Sequence, residues 1–177
     1  MVERDEIFFW IKFNPLNFHL HLSPNYIGMN IHWTLKPFQD LTLEELYEIL
    51  HLRNDVFVVE QKCNYLDIDG KDLKSMHLQG RVNNELAAYV RILPPGLSYD
   101  EPSIGRVLNA RSVRRQGVGQ ALMHKAIAET IALHGKRTIK IGAQLYLKRF
   151  YESFGFVQCS EPYLEDEIPH IKMNLTP

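Results

Sequence analysis

The chain has 177 residues, 45% of them apolar and 23% charged, with a formal net charge of −1. That is enough for one domain with a real core, and the balance supplies no basic field to recruit nucleic acid. Cys63 and Cys159 stand far apart in no metal-ligand spacing, and no apolar run nears the roughly 20 residues a membrane crossing needs, so a cytoplasmic protein with reduced thiols is expected.

Residues 1–29 read as an N-terminal extension to a domain over 30–177. Met1 to Glu6 is polar and mostly acidic, and Phe8 to Leu22 is aromatic-rich but broken by Asn14, Pro15 and Asn17. With no basic start and no small-residue cleavage site, it makes a poor signal peptide. Met29 precedes a strand-like segment and is expected to be the natural start, with the tail before it loosely held.

Ile31 to Lys36 alternates weakly and reads as a first strand. Thr42-x-x-Glu45 is a capping box, so a helix is predicted over 42–55, with Leu43, Leu46, Tyr47, Leu50, Asn54 and Phe57 on one face. Val56 to Gln61 continues that helix or turns away. Tyr65 to Asp72 is an acidic, turn-rich loop. Its spacing hints at calcium, but the closing Glu and the framing helices of a calcium loop are missing, so no metal is expected. Met76 to Val82 and Glu85 to Leu93 flank Asn83-Asn84, a pair that tolerates positive φ, and predict a hairpin. Pro94-Pro95-Gly96 ends its second strand.

Ile104 to Asn109 is a further strand. A helix is predicted from Gly117 to about His134, burying Val118, Ala121, Leu122, Ile127 and Ile131, with Gly135 just past its end. Thr138 to Gly142 is a strand, and Leu145 to Phe154 is a helix stopped by Gly155. Phe156 to Cys159 and Ile171 to Leu175 are closing strands. The order β-α-β-β-β-α-β-α-β-β predicts an α+β fold, a sheet with helices on both faces.

The strand at 104–109 and the following helix are joined by a Gly-rich turn within Ser112 to Leu122. Such a turn gathers several backbone N–H groups at the positive end of a helix dipole, which suits phosphate. Gly117 and Gly119 would let a phosphate approach the backbone, and Arg114 and Arg115 add charge. The dinucleotide fingerprint fails at Leu122, and the P-loop Gly-Lys-Ser/Thr is absent. The bland reading is a tight turn eased by glycines, with solvated arginines.

What the stretch does match is Arg/Gln-x-x-Gly-x-Gly/Ala, spelled Arg114-Arg115-Gln116-Gly117-Val118-Gly119. It resembles the acyl-CoA pyrophosphate loop of the GNAT N-acetyltransferases. Phe150-Tyr151-x-x-x-Gly155-Phe156, within Ala143 to Phe156, resembles that family's second CoA-side motif in the right order and separation. From about Trp33 onward the chain also resembles the ElaA-like subgroup. The matching pieces are Leu52 to Gln61, Asp67 to Asp72, His77, Gly105-Arg106-Val107 and Tyr163 to Met173, with Glu167 where the subgroup usually has Gly.

The resemblance implies a mixed, mostly antiparallel sheet flanked by helices. It implies acetyl-CoA as cosubstrate, a small-molecule or protein amine as acceptor, and a possible homodimer. Cosubstrate contacts are implied at Val107, Leu108 and Asn109 on the strand. Others are implied at Val113, Arg114, Arg115, Gln116, Gly117, Val118, Gly119 and Gln120 around the pyrophosphate, and at Gln144, Phe150 and Tyr151 in the second motif. Tyr151 matches the family's general acid for the departing thiolate. The strand carboxylate that many relatives use as a base is missing, and Arg106 is the charged residue on that strand.

The matching loops hold more ionisable groups than a bland core needs. Arg53, Asp67, Asp69, Arg106, Glu165 and Asp166 are expected around a polar acceptor site, whose acidic rim would attract a cationic amine. His170 and Glu60 rank first as bases, then His77. Each of these groups also has a plain reading as a solvated charge or a structural ion pair. The expected reaction is direct transfer of an acetyl group to a primary amine. The rival is a non-catalytic acyl-CoA-binding regulatory protein, which the missing strand carboxylate favours.

Overall fold

The structure is a computed structural model describing residues 30–177. The expected start at Met29 and the extension before it lie outside the described residues. Eight strands form one sheet in the order β1-β2-β3-β4-β5-β8-β6, with β7 also paired to β8. They are β1 (His32–Pro37), β2 (Met76–Val82), β3 (Glu85–Leu93), β4 (Ser103–Asn109), β5 (Ile139–Gln144), β6 (Val157–Gln158), β7 (Tyr163–Glu165) and β8 (Ile168–Leu175). The α-helices are α1 (Leu43–Arg53), α2 (Val118–His134) and α3 (Lys148–Glu152). Every pairing is antiparallel except β4 with β5.

Side chains alternate across β3 and split the core in two. Ala88 and Val90 join the cluster under α2, while Tyr89 joins Ile49 and Val56 under α1. Helices therefore cover both faces, as the element order predicts. The Asn83-Asn84 turn has φ of 50° and 66°, which gives the hairpin its tight reversal.

Helix α1 starts at the predicted cap. Thr42 Oγ1 accepts the Glu45 N–H, and the Glu45 carboxylate accepts the Thr42 N–H. A π-helical segment, Asn54–Glu60, then continues it, and the Cys63 N–H reaches back to the Val58 carbonyl. The predicted buried face needs correction. Leu43 and Tyr47 are 82% and 71% exposed, whereas Ile49, Arg53 and Val56 are buried. A buried arginine sits at the centre of the true face, so the apolar pattern traced its flank.

Helix α2 likewise buries Val118, Leu122, Met123, Ala126 and Thr130, with Ala121, Ile127 and Ile131 at the margin. The Thr130 hydroxyl donates to the Ala126 carbonyl at 2.7 Å, so its polar atom is satisfied in the core. The predicted helix over 145–154 is a 3₁₀ turn, Leu145–Leu147, followed by the short α3.

Strand β7 escaped the sequence reading. It is three residues long and joins β8 through Asp166-Glu167, both left-handed with φ of 49° and 66°. A side chain in that region is strained, so Glu167→Gly should raise stability by roughly 0.5–1 kcal/mol. In thermal unfolding this would read as a rise of about 2 °C. A fall in the midpoint would show that the turn carries no such strain.

Candidate active site

Strands β4 and β5 are parallel but share only one register pair, Ser103 with Lys140. Beyond it they part, and β5 pairs along its whole length with β8 instead. A β-bulge in β4 adds to the opening. Tyr89 faces Leu108 and Arg91 faces Gly105, so the single residue Val90 spans both Arg106 and Val107, and Arg106 has φ of 55°. The gap leads to a cavity of about 440 Å³. Val107, Gln144, Tyr151, Glu165, Asp166 and His170 line it, as do Asp69 and Arg106. These eight predicted residues come from five separate stretches of chain, and the fold brings them together.

The Gly-rich turn closes one end of the gap. Arg115 and Gly117 are left-handed, with φ of 62° and 81°, and Gly117 caps α2 without any side-chain hydrogen bond. The N–H groups of Arg115, Gln116, Gly117 and Val118 find no well-aligned acceptor among the described residues. Free amides at an uncapped helix start suit a pyrophosphate. Gly119 has a different reason from the one expected. A Cβ there would stand 2.8 Å from the Asn109 side-chain amide. That amide accepts the Gly119 N–H at 3.0 Å and donates to the Leu108 carbonyl at 2.9 Å, so it ties the strand end to the helix start. The same Cβ would lie 3.9 Å from Phe150, which places the second motif beside the first.

Arg114 is engaged rather than free. Its guanidinium pairs with both Glu60 oxygens, at 2.5 and 2.8 Å, and bonds the Asn109 carbonyl. Arg111 meets the same carboxylate at 3.2 Å. The Arg114 hydrogen bond outweighs burial and holds the Glu60 carboxyl below its ordinary range. A carboxylate so gripped is a poor base, and Glu60 lies outside the cavity lining. It is a strut between the π-helical segment and the phosphate turn. The next residue, Gln61, accepts from the Gln144 amide at 2.9 Å and braces the end of β5.

The expected acidic rim also needs correction. Arg53 is fully buried and bonds Asp67 at 2.8 Å and Asp72 at 2.7 Å. Arg91 is 2% exposed and pairs with Asp69 at 2.7 Å and Asp72 at 2.9 Å. Arg106 bonds Asp67 at 2.7 Å, with its guanidinium near the rings of Phe57 and Tyr65. The acidic loop thus faces three arginines, which bolt it to α1, β3 and β4. Arg53 and Asp67 stand behind the cavity wall, not on it. Arg91 and Asp72 were missed. A lone arginine in the apolar run Ala87 to Leu93 was the available signal, since buried guanidinium groups need partners.

His77 is no free base either. It is fully buried, with Nδ1 2.9 Å from the Tyr89 hydroxyl and Nε2 3.0 Å from the Asp72 carbonyl. Burial pushes its pKa down, against the pull of Asp72. For Asp72, burial pushes the carboxyl up but Arg53 and Arg91 outweigh it. Asp69 is likewise held well below the carboxylate range by Arg91, the Lys71 N–H and Arg106.

All three shifts have one consequence. Below 6.5, the ordinary imidazole value, the unfolded chain takes up a proton that folded His77 refuses. Near 3.8 the unfolded chain protonates carboxyls that the fold keeps ionised. Stability should therefore fall with pH in two stages, starting below about 6.5 and steepening near 3.8. Melting temperatures from pH 7.5 to 3.5 check this, and His77→Gln should flatten the upper stage.

His170 differs from His77. It lines the cavity, and its Nδ1–H donates to the Ile168 carbonyl at 2.8 Å, which leaves Nε2 as the acceptor nitrogen. Tyr151 lines the same cavity and is 6% exposed. Burial pushes its hydroxyl pKa up, so it is protonated at neutral pH. No helix among the described residues is long and apolar enough to cross a membrane.

A splayed parallel pair with a buried tyrosine in its cavity and free amides on the turn after β4 agrees with comparison to known proteins. The family model described as "Acetyltransferase (GNAT) domain" matches residues 59–177. The chain belongs to the GNAT acetyltransferase family. Protein ElaA of Escherichia coli is 44% identical over 146 residues, which cover 81% of this chain and 95% of ElaA. The crystal structure of ElaA covers 82% of this chain with a TM-score of 0.77. An acyl-CoA N-acyltransferase from Pseudomonas aeruginosa is 43% identical, with a TM-score of 0.78 over 82% of this chain and 99% of that one. A GNAT acetyltransferase from Elizabethkingia anophelis, with acetyl-CoA bound, shares the fold at 16% identity and a TM-score of 0.61, over 84% of this chain and 99% of that one. The chain is an ElaA-like GNAT acyltransferase.

Proposed function

We propose that the chain transfers an acetyl group from acetyl-CoA directly to a primary amine in the cytoplasm. The observation that carries this is Tyr151 and His170 in one cavity along the parted β4–β5 pair, with free amides on the turn that follows β4. Acetyl-CoA supplies the activated thioester. The amides from Arg115 to Val118 hold its pyrophosphate, and the parted edge of β4 at Val107 to Asn109 pairs with the pantetheine arm. His170 Nε2 takes the proton from the amine, and Tyr151 gives its proton to the departing sulfur. The N–C bond forms as the C–S bond breaks, and solvent returns the proton from His170 to Tyr151. Products are an N-acetyl amine and CoA thiol. A strand amide at the β4 bulge stabilises charge on the carbonyl oxygen. The outer edges of the sheet are suited to pair two copies into a homodimer.

Calorimetry of acetyl-CoA binding tests the cosubstrate half. Gly117→Glu places a carboxylate and added bulk in the phosphate turn and should abolish binding. That substitution is strained at φ of 81°, so a second variant is needed. Arg115→Glu, at an exposed side chain, reverses charge beside the free amides without burying anything. It should weaken binding, more so at low salt. Unchanged affinity in both folded variants would remove the phosphate turn from the site.

A further inference from the structure

We propose that the acceptor is an amino acid, its carboxylate seated on Arg106 and Lys71 and its amine presented to His170. This rests on the acetyl-transfer reading above and adds a substrate class to it. Arg106 is fixed on two of its three guanidinium nitrogens. Nε bonds Asp67 Oδ1, and Nη2 bonds the Asp67 carbonyl at 3.1 Å and reaches Asp69 at 3.5 Å. Nη1 has no protein acceptor among the described residues, and Arg106 lines the cavity. A guanidinium locked by two bonds and flanked by Phe57 and Tyr65 offers its remaining donor with little entropy left to lose.

Lys71 lines the same wall, and its ammonium makes no ion pair among the described residues. The charge count of that wall and the layer directly behind it agrees. Arg53, Arg91, Arg106 and Lys71 stand against Asp67, Asp69 and Asp72, which leaves one cation in excess. Across the cavity the sign reverses, because Glu165 and Asp166 line it without any cation paired to them among the described residues. A cavity with spare cationic donors on one wall and spare carboxylates beside its acceptor histidine fits a molecule carrying both charges. A simple amine would leave Arg106 Nη1 and Lys71 unused, and an amine with only further cations would be repelled by them.

The test compares each amino acid with its own carboxamide as acceptor for the full chain with acetyl-CoA, read as thiol release. The amide keeps the side chain and loses the charge, and its amine is the less basic and the readier nucleophile. Chemistry alone would therefore favour the amide. The accepted amino acid should exceed its amide roughly tenfold or more in kcat/KM, mostly through KM. Lys71→Gln should bring that ratio toward one. This variant folds safely, since the Lys71 side chain holds no partner among the described residues. Arg106→Gln should do the same more strongly. Amides or simple amines accepted as well as amino acids would overturn the inference and leave acetyl transfer standing. So would a ratio that survives both substitutions. A wild type that binds no acetyl-CoA would sink the transfer reading and this inference together.

Discussion

Arg53→Ala should cost about 3–5 kcal/mol of stability, the largest loss expected from any single change near the site. The side chain is fully buried and bonds Asp67 twice, through its carboxylate and its carbonyl, and Asp72 once. Removing it leaves two mostly buried carboxylates with less compensation and a cavity in place of a guanidinium. For a chain of this size that loss corresponds to a drop of about 6–20 °C in the melting temperature. The sign of the pH dependence separates a charge effect from lost packing. Asp72 is ionised in the fold partly because of Arg53. In the variant it gains more from protonation, so the gap between wild type and variant should narrow as pH falls toward 4. A gap of constant size from pH 7 to 4 would assign the loss to packing alone. Arg53→Met refills most of the volume and should recover part of the loss, because Arg91 and Arg106 still face the carboxylates.

The same residue shows where the sequence could be read and where it could not. Capping, turns and glycines are local signals, and they held. The Thr42 box, the Asn83-Asn84 turn, Gly135 past α2 and the Gly-rich turn all stand where local chemistry put them. The buried face of α1 is not local. Its centre is an arginine whose partners lie 14 and 19 residues away. A pattern of apolar residues cannot register a polar residue made tolerable by distant ones. The role of Asp67, Asp69 and Asp72 was hidden in the same way, because the cations they face are arginines from α1, β3 and β4. Strand β7 was invisible for another reason. Three residues carry too little periodicity to separate a strand from a loop.

Site residues divide along the same line. Of those on motifs, Val107, Gln144 and Tyr151 line the cavity, whereas Leu108, Asn109, Phe150 and the turn over 113–120 do not, and Glu165, Asp166 and His170 in the last hairpin line it too. Those chosen for being ionisable divide by partner. Glu60 and His77 have every strong hydrogen-bonding group engaged by the protein, whereas His170 keeps one ring nitrogen free among the described residues. Spacing indicates that a histidine is near a site. Only the fold shows which of its nitrogens is already used.

Tyr151→Phe should lower kcat by about a hundredfold or more while leaving acetyl-CoA affinity nearly unchanged. The ring is held by Phe150 and Phe156, at centroid distances of 5.2 and 6.0 Å, and phenylalanine keeps both contacts. Only one oxygen is lost. Burial holds the Tyr151 hydroxyl above its ordinary value, which makes it a weaker acid than the thiol it would protonate in the proposed reaction. It gains nothing by giving up its proton early. In the proposed reaction its role is to meet the sulfur as the C–S bond breaks while solvent returns the His170 proton to it, so that neither a thiolate nor a tyrosinate is left in a buried cavity, where an unpaired charge is costly. Proton transfer is then part of the bond-breaking step, and wild type should slow in heavy water by a factor that Tyr151→Phe loses. The pH profile gives the matching sign. An acid must be protonated to act, so activity would fall only as pH rises through the raised hydroxyl value, and no loss should trace to Tyr151 below about 10. A folded variant with wild-type turnover would reduce Tyr151 to a packing residue and move the acid elsewhere in the cavity.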